Sequence, residues 1–247
     1  MTYPVPVLLY HHINNNRGDT VTVTPDVFAG QMAFFKDAGY KALTVAELLD
    51  HISGNCPAPQ KSMLLTFDDG WLDNYLFAYP VLMKYLFRAT IFLVTDRVNA
   101  VKVTSLPDSI PCHEEAKRLI TNGAAGSVVM GWELVRKIQK EGLLEFYSHT
   151  ASHRRCSTLN DAELTAELTN SRAVLESELA TDCRVLCWPY GDFDERTVAA
   201  AGDAGYKAMF STVDGFVETG SDLSCIRRIE VQNSVEWLIA RLSEGYE

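Results

Sequence analysis

The sequence predicts an α/β fold, a single closed barrel of parallel strands with seven or eight members, and three observations predict it. Short apolar runs alternate with amphipathic stretches from about residue 6 to residue 231, a rhythm that implies parallel strands joined by right-handed crossovers. No linker, internal repeat or low-complexity tract divides the 247 residues, so 1–247 reads as one domain. Hydrophobic residues make up 47% of the chain and charged residues 22%, enough apolar side chain to bury a core.

The elements follow in order. The run 6–10 (PVLLY) reads as a buried strand. Thr24 before Pro25 opens a helix to about Ala38, with Phe28, Met32, Phe35 and Ala38 at helical spacing. Gly39 ends it, 40–43 is a short strand, and Thr44 with Glu47 forms a capping box for a helix to Ser53. A loop at 55–61 leads to a second buried strand at 62–67 and a helix at 72–86, kinked by Pro80. After a β-rich run at 88–94, residues 96–129 break the rhythm and read as an excursion with a short helix near 114–121. Helices at 132–141, 161–179 and 195–204 then alternate with strands at 144–147, 184–188, 207–211 and 225–231.

Charge and hydropathy exclude several classes of function. The 32 acidic and 22 basic side chains give a formal net charge of −10, which disfavours nucleic acid or an anionic membrane as the main partner. The first apolar run, 4–10, is far shorter than the roughly 18 residues a transmembrane segment needs. It has no basic region before it and no small-residue cleavage site after it, so no signal peptide is read and the chain as written is expected to be cytoplasmic. A leader trimmed away would place it in the periplasm or outside the cell instead. The six cysteines are scattered, which favours reduced thiols.

Three segments carry chemistry. In Thr66-Phe67-Asp68-Asp69-Gly70-Trp71 two adjacent carboxylates follow a strand. They converge on one point only where the strand ends and turns, which Gly70 permits, and strand ends are where barrel enzymes place their chemistry. Taken alone, Asp-Asp-Gly also fits a surface turn. In Ser148-His149-Thr150-Ala151-Ser152-His153 two imidazoles four positions apart share one face of a helical turn and can share a metal ion, or are two polar surface histidines. One Asp added to two His makes an open catalytic metal site. In Trp188-Pro189-Tyr190-Gly191 the backbone can aim an amide N–H at an oxyanion, or simply turn.

Together and in this order the three segments resemble the motifs of the polysaccharide deacetylases, the NodB-homology fold of carbohydrate esterase family 4. The resemblance covers residue 6 to about 231, and it implies an irregular (β/α) barrel of seven strands. It makes Asp69, His149 and His153 the ligands of a divalent metal, zinc. It makes Asp68 the general base and gives the backbone N–H of Tyr190 to the oxyanion. Two features of the family pattern are missing. Trp188 directly precedes Pro189 where many members have an arginine ahead of the Pro-Tyr to pair with the base, and no histidine follows His153 to act as the acid. Val7-Leu8-Leu9-Tyr10-His11-His12 and Ile226-Arg227-Arg228-Ile229 resemble instead the subgroup that deacetylates poly-β-1,6-N-acetylglucosamine. There an early Tyr-His supplies the acid and a late arginine orients the base. On that pattern His11 is the acid, with His12 as fallback, and Arg228 pairs with Asp68, with Arg227 as fallback.

The expected reaction is hydrolysis of N-acetyl groups on an amino-sugar polymer or oligomer. The rivals are another acyl or C–N hydrolase on the same scaffold (an O-acetyl esterase, imidase or deformylase) and a non-catalytic carbohydrate-binding homologue. Trp71, Trp188 and Tyr190 are candidate substrate contacts, and both tryptophans equally fit the core. Cys183 and Cys187 read as core cysteines. Cys112-His113 with Glu114-Glu115 lacks a second ligand-spaced pair and is not read as a metal site.

Overall fold

In the computed structural model the described residues are 3–104 and 109–246. Residues 105–108 of the predicted excursion, and residues 1, 2 and 247 of the predicted domain, lie outside them. The chain begins with β1 (Val7–Tyr10), β2 (His12–Ile13), β3 (Thr22–Val23), α1 (Pro25–Asp37), β4 (Lys41–Ala42), α2 (Val45–Ser53) and β5 (Ser62–Phe67). It continues through α3 (Tyr79–Tyr85), β6 (Ala89–Leu93), α4 (Thr95–Asn99), α5 (His113–Thr121), α6 (Trp132–Glu141) and β7 (Leu144–Ser148). The last elements are α7 (Asp161–Leu179), β8 (Val185–Cys187), α8 (Glu195–Asp203), β9 (Ala208–Phe210), β10 (Ile229–Glu230) and α9 (Val235–Ser243).

Seven strands run in the order β10-β1-β5-β6-β7-β8-β9, every neighbouring pair parallel, with β4 paired to β5 at the side. They curl into a half-barrel with helices around it, the expected α/β architecture of seven parallel strands, but the sheet is open where a closed barrel was expected. The strand expected at 225–231 shortens to β10 because this segment crosses the gap between the sheet's two edges. Ile226 bridges to Phe210 of β9, and Ile229 then pairs with Leu8 of β1.

Local sequence accounts for most elements. The β5 run SMLLTF is buried at all six positions, as a central parallel strand must be. The α2 capping box forms as expected, Glu47 N donating to Thr44 Oγ1 and Thr44 N to Glu47 Oε2. Ahead of α3 the expected kink at Pro80 is instead a π-helical turn over Asn74–Ala78, with Pro80 in the first turn of α3. The widened turn comes before the position where Pro lacks an N–H to donate.

Alternation along the strands divides the core in two. Leu8, Leu65, Phe67, Ile91 and Leu93 point outward into one core cluster with helix residues such as Phe28, Met32 and Phe35 of α1. Val7, Leu64, Phe92, Val185, Cys187, Ala208 and Phe210 fill the barrel interior. Leu64, Thr66 and Asp68 lie on one side of the chain by period-2 alternation, which aims Asp68 into the interior. No helix among the described residues is long and apolar enough to cross a membrane, and all six cysteines are free thiols.

Candidate active site

Strand register brings the functional segments to one end of the barrel. Tyr10 pairs with Phe67 and Phe67 with Ile91, while Leu93 pairs with Ser148, so His11, Asp68 and His149 follow strands that end side by side. A cavity of about 210 Å³ opens there, lined among others by His11, Asp68, Asp69, Arg97, His149, His153 and Tyr190.

The backbone at this end is unusual. Asp69, Thr150, His153 and Tyr190 all have φ between 60° and 73°, a region that costs a non-glycine residue energy and concentrates at functional sites. Asp69 turns the chain away from the direction set by Asp68, so the two carboxylates diverge. Gly70 follows at φ 72°, where a Cβ would stand 2.6 Å from Leu93 Cδ2, so only glycine completes the turn. The two histidines do not sit on a helical turn, as the sequence had suggested. Residues 149–153 form an irregular loop whose left-handed positions at Thr150 and His153 bring the rings to a centroid distance of 4.8 Å. Buried Glu167 of α7 pins that loop, accepting from Ser152 N at 2.8 Å and from the Ser152 hydroxyl.

Asp68 is held by Arg228 in a two-pronged ion pair, Nη1 to Oδ1 at 2.7 Å and Nη2 to Oδ2 at 2.8 Å, with both side chains buried. Burial opposes its charge, but Arg228 and then His149 outweigh burial and hold the pKa down to about 2. Arg228 is itself fixed by the Ser211 carbonyl and Thr66 Oγ1. Arg227 instead donates to the Asp214 carbonyl, away from Asp68. Cys187 Sγ contacts both Asp68 oxygens at 3.7–3.8 Å and lies 3.0 Å from Arg228 Nη2; burial pushes this thiol well above the usual cysteine range.

Asp69 has different neighbours. Oδ1 lies 2.7 Å from Arg97 Nη1 and 3.3 Å from His153 Nε2, and Oδ2 accepts from Trp71 Nε1 at 3.1 Å. Burial again opposes the charge, and His153 and Arg97 hold the carboxyl well below its ordinary range. His149 Nδ1 meets the Cys187 carbonyl at 2.8 Å. A carbonyl only accepts, so the proton sits on Nδ1 and the Nε2 lone pair is left free. Burial lowers the pKa of both histidines, that of His153 to about 3, so both rings are neutral near pH 7.

These residues fit a divalent cation. One donor atom from each of Asp69, His149 and His153 lies within 4.8 Å of the others. The set combines an anionic carboxylate with two neutral imidazoles, the chemistry of an open zinc site. Among the described residues His153 Nδ1 is buried without a partner, and each carboxylate oxygen of Asp69 keeps acceptor capacity beyond the bonds described.

His11 lines the cavity with its backbone carbonyl held by Asn74 Nδ2 at 2.8 Å. His12 is buried behind it, 2.7 Å from Asp73 and stacked on Trp71. Tyr190 is 51% exposed at the rim, its ring packed on His153 and under Arg155. The expectation that Trp71 and Trp188 stack on a sugar is corrected here. Both are 0% exposed, so neither offers a ring face; Trp71 serves as a donor to Asp69 and Trp188 stacks on Phe193. Sequence reasoning missed Arg97, Cys187 as a neighbour of Asp68, and His113, which reaches the cavity from α5. The one available signal was position: Arg97 follows the end of β6 as Asp69 follows β5.

Comparison with known proteins gives a consistent picture. A family model described as Polysaccharide deacetylase matches residues 55–209. The chain is 26% identical to YxkH of Bacillus subtilis over 92% of its own length and 71% of that protein, whose name provisionally makes it a polysaccharide deacetylase. It is 25% identical to a poly-β-1,6-N-acetyl-D-glucosamine N-deacetylase of Staphylococcus aureus, covering 97% of this chain and 78% of that one. It is 22% identical to the Escherichia coli protein of the same name, of which it spans 36%. In fold it is similar to Streptococcus pyogenes deacetylase PplD, solved in complex with acetate, at a TM-score of 0.81, 24% identity, and coverage of 97% and 98% of the two chains. With the family match spanning more than half its length, the chain belongs to the polysaccharide deacetylase family and is a carbohydrate deacetylase, a hydrolase.

Proposed function

We propose that this protein removes N-acetyl groups from amino-sugar residues of a poly- or oligosaccharide, with poly-β-1,6-N-acetylglucosamine as the substrate class. The observation that carries the reading is the pairing of an Asp69–His149–His153 donor set with an adjacent, separately held carboxylate, Asp68. The substrate class rests on the Staphylococcus aureus and Escherichia coli relatives named for that polymer and on the early Tyr10-His11 and late Arg228.

Asp69, His149 and His153 would hold the cation, zinc in this reading. When bound, it supplies Lewis acidity that polarises the acetamide carbonyl and makes water more acidic. Asp68 accepts the proton of the attacking water. Arg228 keeps it anionic and fixes the direction of its lone pairs. The Tyr190 N–H, on a strained turn at the rim, stabilises charge developing on the carbonyl oxygen. His11, across the cavity, gives its proton to the departing amine, without which the C–N bond would not break productively.

The test combines metal analysis with acetate release from a β-1,6-linked N-acetylglucosamine tetramer. Wild type is expected to carry about one divalent ion and release acetate. Asp69→Ala is expected to lose the metal together with at least about 10³-fold in kcat/KM, and His11→Ala to lose rate while keeping the metal. A fully active Asp69→Ala protein refutes the reading. Release from O-acetyl esters alone replaces it with an esterase.

A further inference from the structure

A hydrogen-bonded chain of side chains runs from the barrel wall to the cavity mouth and takes no part in the reaction above. Asp73 Oδ2 lies 2.7 Å from His12 Nδ1, and His12 Nε2 lies 3.1 Å from His113 Nδ1. Asp73 is anchored further by Asn14 Nδ2 at 2.8 Å and Asn74 Nδ2 at 3.1 Å, and His12 stacks on Trp71 at 4.4 Å. The far end is fixed too, because Asp19 Oδ2 accepts from the His113 backbone N–H at 2.7 Å, joining the loop after β2 to the start of α5. His113 is half-buried, and among the described residues its Nε2 has no protein partner. Together with Val21 it lines both the catalytic cavity and an adjoining groove of about 510 Å³ bounded by residues 16–21 and 112–114.

We propose that His113 is a specificity-determining residue that donates a hydrogen bond from Nε2 to the sugar unit next to the one being deacetylated, with Asp73 and His12 as the residues that position it. This rests on the amino-sugar reading above and assigns that substrate its second contact region. An ionised Asp73 can only accept, so His12 Nδ1 carries a proton. A single further proton lies between His12 Nε2 and His113 Nδ1. Although burial opposes it, Asp73 raises the pKa of His12, while burial and the proximity of His12 lower that of His113. The shared proton therefore belongs to His12. His113 Nδ1 accepts it, and the neutral ring must carry its own proton on Nε2, as a donor aimed at the junction of cavity and groove. Sugars offer hydroxyl, ring and bridging oxygens as acceptors there. With the acetamide at Asp68 and Asp69, the adjoining groove that His113 and Val21 share with the cavity offers room for a neighbouring unit.

The test compares a β-1,6-linked N-acetylglucosamine tetramer with 4-methylumbelliferyl acetate, which is too small to reach the groove. For His113→Ala, KM on the tetramer is expected to rise about five- to tenfold with kcat within about twofold, as for loss of one ground-state hydrogen bond, and the ester kinetics should not move. His113→Gln, which keeps an N–H donor, should recover most of the KM. His12→Asn, which preserves the Asp73 bond and cuts the link to His113, should shift KM the same way by less. Unchanged KM in His113→Ala, or equal losses on both substrates, overturns the proposal. A readout independent of turnover is the imidazole ¹⁵N spectrum of the wild type. It should show His113 protonated on Nε2, with that resonance moving on tetramer addition. If the wild type releases no acetate from the tetramer, the functional reading fails and the proposal that rests on it falls too; if it releases acetate and the His113 signal stays unmoved, the proposal alone is overturned.

Discussion

Asp68 and His113 face the same cavity, but the regions that hold them are built on different principles. Asp68 belongs to the strand ends, where buried charges are matched one to one: Arg228 against Asp68, Arg97 and His153 against Asp69. His113 belongs to the excursion and the loop after β2, joined by polar contacts across half-exposed surface such as Asp19 to His113 N and Asn16 Nδ2 to the Ile110 carbonyl. In the first region an unmatched group would be a buried charge, so function and stability are coupled. In the second, water can replace a lost partner, so substrate contacts can change at little cost to the fold.

The largest expected effect tests that coupling. Arg228→Met leaves Asp68 buried without its cation and should lower unfolding free energy by about 3–5 kcal/mol, whereas the double change Asp68→Leu with Arg228→Met should recover most of the loss. His113→Ala, by contrast, should fall within about 0.5 kcal/mol of wild type. Urea unfolding of the metal-free proteins measures all three, and an Arg228→Met loss no larger than that of His113→Ala would erase the distinction between the regions.

Two buried ion pairs, Asp68 with Arg228 at the strand ends and Asp73 with His12 behind His113, should respond to pH with opposite sign. The Asp68 pKa is about 2 in the fold against an ordinary 3.8. Its contribution is therefore present above pH 3.8 and is lost as pH falls towards 2, a difference of about 2–3 kcal/mol. His12 has its pKa raised above 6.5 chiefly by Asp73 against the opposing burial. Its contribution is complete below pH 6.5 and is lost as pH rises through the folded value. Stability against pH should show an acid limb that Asp68→Asn flattens and an alkaline limb that His12→Asn flattens. Each variant changing the other's limb would contradict this assignment.

The same division explains what could be read from the sequence. The strand-end residues were legible because their chemistry is written locally. Asp68-Asp69-Gly70 ends a run of apolar residues, and His149 and His153 end another, so periodicity and the family likeness located them together. Arg228 was placed only through the resemblance, because nothing local distinguishes it from Arg227. The opposite directions of the two side chains come from the crossing of 222–231 between β9 and β1. The His pair had the right spacing and the wrong geometry: i,i+4 suggested a helical turn, while left-handed φ at Thr150 and His153 does the work. The tryptophans were misread because aromatic character does not say which side of a strand end is wet. The helix α9 was overlooked although Ser234 caps it at Trp237 N and Val235, Leu238 and Leu242 have helical spacing. The contacts from His113 to His12 and from Arg97 to Asp69 span 101 and 28 positions, and no periodicity reports such pairings.

The smallest effect belongs to the joint between loop and excursion. The Asp19 carboxylate stands where a capping side chain would, accepting from the first backbone N–H of α5, whose own preceding residue Cys112 makes no side-chain cap. Asp19→Ala should cost about 0.5–1 kcal/mol, borne locally by the first turn of α5 rather than by the barrel. Amide exchange in residues 113–116 should quicken several-fold while that of β5 and β7 stays unchanged. Because α5 carries His113, the tetramer KM should rise with kcat held, a weaker copy of the His113→Ala result. Exchange quickening across the barrel strands as well would show that the excursion is structurally continuous with the frame it borders.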